Sequence, residues 1–169
     1  MSLVEAKMMI DKSAQYCDNI LFTLVDECTR DLDAYIDNIS RNFKDTANID
    51  NTTLDNFILN LPMLIYYSSA KLEQLGLKDD LSAIEKKKKI SEVLSTSEAK
   101  LKSDRQIEAE LGSIDISLLN DIYQRAYRVV RSKLDTAYEV LASCKKIMSR
   151  RIEELKVEHS DTGRQILHS

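Results

Sequence analysis

Glycine and proline are nearly missing from this sequence, with three of the first and one of the second in 169 residues. Sheet-rich folds spend these residues on tight turns, so their scarcity excludes most β architectures and points to a few long elements. Tryptophan is absent, and histidine occurs only at His159 and His168. Hydrolytic triads and carboxylate–histidine metal sites therefore have little to draw on. Phosphate-binding glycine loops and the HExxH zinc motif are missing as well, and no cofactor is expected. The cysteines, Cys17, Cys28 and Cys144, are odd in number and form no CxxC pair. Cys17 and Cys28 are about 16 Å apart if they share one helix, too far for a disulfide. The expectation is three buried, reduced thiols. No apolar run is long enough for a membrane span, and the first fifteen residues lack the core of an export signal. The chain is expected to stay in the cytoplasm without membrane contact.

What is present is helical periodicity. Within 121–155 the apolar residues Ile122, Ala126, Val130, Leu134, Ala137, Leu141, Cys144, Met148, Ile152 and Leu155 recur by threes and fours, the rhythm of one buried stripe. A similar stripe runs from Leu3 to Phe43, spanning about 60 Å at 1.5 Å per residue. Asn- and Asp-rich residues 44–52 read as a connection, with Thr52 as helix cap and Asp55 completing a capping box. A helix over 53–75 should kink at Pro62 and stop at Gly76. Another should run over 79–111, weakening across 94–103, and the last from about 115 to 158. The expected fold is all-α: an elongated bundle of about four helices in one domain, 1–159, followed by a flexible tail, 160–169.

The net charge of −4 conceals segregation. Residues 1–60 hold five basic and eleven acidic side chains, whereas 122–151 hold eight basic and two acidic. Lys86, Lys87, Lys88 and Lys89 form a third cationic zone. Opposite the apolar stripe of the last helix lie Arg125, Arg128, Arg131, Lys146 and Arg150, with Lys145 and Arg151 beside them. Basic clusters of this kind neutralise phosphate backbones, and local fields act whatever the overall charge. Tyr127 and Tyr138 fall where the oily and basic faces meet, so a ring there either stacks on a base or simply closes the boundary of the core. Acidic pairs one turn apart, Glu27/Asp31 and Asp33/Asp37, raise an all-α magnesium pyrophosphatase as a further reading. It lacks a matching pair on a neighbouring helix, since Glu108 and Glu110 point to different faces.

Three segments carry a family resemblance: LPMLIYYSSAKLEQLGLKDDL (61–81), DRQIEAEL (104–111) and YQRAYRVVRSKLDTAYEVLASCKKIMSRRIEEL (123–155). Over about 53–157 the chain resembles the UvsY-like recombination mediators of tailed phages. The resemblance implies a non-enzymatic protein of the host cytoplasm that oligomerises, binds single-stranded DNA and helps load a recombinase onto strands covered by single-strand-binding protein. It implies DNA contacts at Lys86, Lys87, Lys88, Lys89, Arg105, Arg125, Arg128, Lys145, Lys146, Arg150 and Arg151. The acidic residues 1–43 would be an addition to that pattern. They leave a second expectation open, a helical accessory or adaptor protein whose basic zones pair with acidic helices.

Overall fold

The computed structural model describes residues 3–45 and 49–166, and these contain four α-helices and no strand. They are α1 (Leu3–Asn42), α2 (Asn51–Thr96), α3 (Lys102–Gly112) and α4 (Ile114–Ile166), with a 3₁₀ turn, Phe43–Asp45, after α1. The all-α expectation holds, but two boundaries differ. The helix expected to stop at Gly76 runs on, so 53–75 and most of 79–111 are one element, and the break falls at 97–101. The last helix also passes its expected end near 158 and reaches Ile166. Of the expected flexible tail, 160–166 is therefore helix, while 167–169, including His168, lie outside the described residues.

Local chemistry explains these limits. Asp50, rather than Thr52, caps α2. Its carboxylate accepts the Thr53 backbone N–H at 2.7 Å and the Thr53 hydroxyl at 2.7 Å. Those donors hold the Asp50 carboxyl below its ordinary range. Gly76 passes unbroken through α2 with no left-handed backbone to supply. It serves close packing instead: a Cβ there would stand 3.3 Å from the Tyr127 ring edge on α4. Gly112 plays the same part at the end of α3, where a Cβ would come within 3.0 Å of Val93 Cγ2 on α2. Gly112→Ala should thus lower stability by about 1 kcal/mol through overpacking. Adding Val93→Ala should recover part of that loss in a urea-denaturation double-mutant cycle.

The chain divides into two compact units, residues 1–30 with 69–132, and residues 31–68 with 133–169. Each takes a part of α1, α2 and α4. In the first unit the contacts Gly76–Tyr127, Asp79–Asn120 and Val93–Gly112 show α2 running opposite to α3 and α4. Its core is built from Val25, Cys28, Leu72, Leu75, Ile122, Ala126 and Val130. It also buries a polar cluster. The Asn120 amide donates to Ser82 Oγ at 2.9 Å and to Asp79 Oδ1 at 3.1 Å, which fixes the register of α2 against α4.

Asp79 is held above the ordinary carboxylate range by burial first and by neighbouring Asp80 second, against the pull of Arg128. A carboxyl whose pKa is raised on folding binds its proton more tightly in the fold than in the unfolded chain. Its ionisation costs stability as pH rises through the usual carboxylate range, and costs nothing below it. Asp79→Asn keeps an acceptor for Asn120. It should raise the urea midpoint at pH 7 and match the parent protein once the pH falls below that range.

The second unit is packed around Leu32, Ile39, Leu54, Phe57, Leu61, Ile65, Leu134 and Leu141. Phe57 stacks on Phe43 and meets Tyr35 edge-on, while the Tyr35 hydroxyl donates to the Asn56 carbonyl at 3.1 Å. Lys133 of α4 is ion-paired with Asp33 of α1. Cys28 and Cys144 are buried, and burial pushes both thiols up; Cys17, expected to be buried, is only half-buried.

Candidate nucleic-acid interface

α4 presents its cations outward because its buried stripe uses the opposite side. Ile122, Ala126 and Val130 in the first unit, and Leu134, Ala137, Leu141 and Cys144 in the second, face inward. Arg125, Arg128, Arg131, Lys145, Lys146 and Arg150 are exposed.

The candidate contact residues fall in both units. Lys86, Lys87, Lys88, Lys89, Arg105, Arg125 and Arg128 belong to the first unit; Lys145, Lys146, Arg150 and Arg151 belong to the second. Their surroundings differ as well. Lys87, Lys88 and Lys89 are exposed on successive sides of α2, with Lys86 half-buried. Arg125 stands at the rim of a groove of about 430 Å³ between α1 and α4, floored by Cys17, Leu21, Leu118 and Ile122 and edged by Asp18 and Asp121. Arg128 lies along its own helix, its Nε donating to the Gln124 carbonyl at 3.3 Å. Among the described residues, Arg125, Arg128, Lys145 and Lys146 have no carboxylate within ion-pair distance.

Two candidates are committed to the fold, and a third is paired along its own helix. Arg151 donates from Nη1 to the Ile49 carbonyl at 2.7 Å and to Asn51 Oδ1 at 2.8 Å, tying α4 to the start of α2. Arg105 Nε donates to the Ala99 carbonyl at 2.6 Å and fastens the 97–101 connection. Arg150 pairs with Glu154 one turn along α4. The aromatics divide likewise. Tyr127 is half-buried against Gly76, which makes it a packing residue, whereas Tyr138 is 55% exposed and has a free face.

α1 is more than an acidic surface, since it supplies Val25, Cys28, Leu32 and Ile39 to the cores. Removing residues 1–44 would strip those cores. Among the described residues no three His, Cys, Asp or Glu side chains converge as a metal site would require. Among the same residues no helix is long and apolar enough to cross a membrane.

The sequence pattern missed the outer face of α2. Leu59, Met63, Tyr66, Leu77, Leu81 and Ile84 are all exposed, although the opposite face of the same helix fills the cores. The signal was legible as a second set of three- and four-residue steps. No protein-family model, curated protein or solved structure matches the chain.

Proposed function

We propose that this chain is a non-enzymatic, single-stranded-DNA-binding protein of the recombination-mediator kind, assisting a recombinase on strands held by single-strand-binding protein. One observation carries the reading: the cations Arg125, Arg128, Lys145 and Lys146 on α4 stand exposed and form no ion pair among the described residues, with Arg128 within the electrostatic reach of Asp79. Acidic α1 pairs Asp33 with Lys133 and Asp26 with Arg30, and among the described residues it forms no ion pair with those four. Unpaired cations on a rigid helix displace counterions from phosphates, and an exposed tyrosine such as Tyr138 adds a base-stacking surface.

The test is fluorescence anisotropy with a labelled single-stranded oligonucleotide and its duplex at low and physiological salt. The expected result is binding that favours the single strand and falls steeply with salt. Absence of binding at low salt would overturn the reading in favour of a helical accessory or adaptor protein. That second reading is supported by a specific observation, the exposed apolar side chains along α2, which suit a protein partner.

A further inference from the structure

We infer that the groove between α1 and α4 in the first unit binds a small amphipathic cation, a molecule with an apolar body and one ammonium group. The groove is the open end of a seam that is closed elsewhere in that unit. On α1 the stripe is buried at Val25 and Cys28, but toward the start of the helix Leu21 and Cys17 are half-buried and Ala14 is exposed. On α4 Ile122, Ala126 and Val130 are buried, while Leu118 is 44% exposed. Both stripes keep their three- and four-residue steps across this change, so the sequence supplies apolar surface that the fold leaves uncovered. What results is a groove of about 430 Å³ whose lining residues all belong to the first unit. That volume lies within the range of small-molecule sites. The lining spans two turns of each helix, roughly 10 Å at 1.5 Å per residue, the length of a small molecule rather than of a polymer.

Charge selects the class of ligand. Asp18 of α1 and Asp121 of α4 edge the groove, together with Arg125. None of the three forms an ion pair among the described residues. Two carboxylates against one guanidinium leave one negative charge in excess. A ligand with a single ammonium neutralises that excess while its apolar part covers Leu21, Leu118 and Ile122. An anion of the same shape would add to the excess. An uncharged molecule would leave the carboxylates beside newly dried apolar surface, where an unpaired charge is costly. This binding requires no nucleic acid and does not rest on the reading above.

Cys17 reports occupancy, because it lies half-buried on the groove floor whereas Cys28 and Cys144 are buried in the cores. The test is the rate of Cys17 alkylation by iodoacetamide in the full chain, followed by mass spectrometry. Octylammonium, octanol and octanoate are compared, each at about 1 mM, the weak end of specific affinity. Octylammonium should slow alkylation of Cys17 several-fold, more than octanol does, and octanoate should protect least. Asp18→Asn together with Asp121→Asn should abolish the advantage of octylammonium over octanol. Circular dichroism should stay unchanged in that variant, since both side chains are exposed. Octylammonium that protects Cys17 no better than octanol would overturn the inference. So would an Asn double variant that keeps the preference, or equal slowing at Cys28 and Cys144, which would mark a general effect rather than occupancy of the groove.

Discussion

Replacing Arg125, Arg128, Lys145 and Lys146 together with alanine is expected to lower affinity for single-stranded oligonucleotide on the order of 100-fold at low salt. All four are exposed and lie outside the buried stripe of α4, so their removal leaves the cores untouched. Each phosphate neutralised on a single strand contributes about 0.7 to the slope of log affinity against log salt, so the slope should become shallower by about 3. The slope separates two explanations that an affinity loss alone would not. A variant that merely lost structure would bind less at every salt concentration without losing counterion release in proportion to the charges removed. Arg151→Ala provides the contrast. Its guanidinium holds the Ile49 carbonyl and Asn51, so stability should fall in addition to any effect on binding. If the quadruple variant bound like the parent, α4 would not be the DNA-binding face.

The second large effect concerns stability. Leu134 and Leu155 occupy the same apolar stripe of α4, yet Leu134 is 4% and Leu155 49% exposed. Leu134→Ala removes a fully packed side chain and leaves a cavity, so it should cost about 3 kcal/mol. For a chain of this size that lowers the melting temperature by about 10 °C. Leu155→Ala removes a side chain already facing solvent and should stay within about 0.5 kcal/mol of the parent. Thermal unfolding followed by circular dichroism checks both. Equal losses at the two positions would mean that the stripe is buried along its whole length.

That pair of residues also marks how far periodicity carries. Spacing by threes and fours identified α1 and α4 and most of their buried residues, because a helix with one oily side has only one way to hide it. It did not mark where along the helix burial stops. Met148 is half-buried and Ile152 and Leu155 are exposed, although they continue the same stripe. Burial there depends on whether a neighbouring helix is long enough to lie opposite.

The candidate site divides in the same way. That α4 carries a cationic face was legible, since residue spacing alone sets which side chains share a side. Which of those cations are available was not. Spacing gives no means of separating Arg128 from Arg151 as candidate contacts, yet Arg151 is bonded across to the start of α2 and Arg128 lies along its own helix. Gly76 misled for a related reason. A glycine near the end of a periodic segment resembles a helix stop, but this one makes room for Tyr127, a residue 51 positions later in the chain.

Composition and a repeat of 3.6 residues per turn are enough to say that this protein is helical, where its charge is concentrated and which side of each long helix is oily. Which cations hold the fold, which tyrosine is exposed, and that α2 keeps apolar side chains turned to solvent are visible only in the folded chain. Each of those depends on which neighbour stands opposite, and contacts between residues far apart in the chain leave no periodic trace in it.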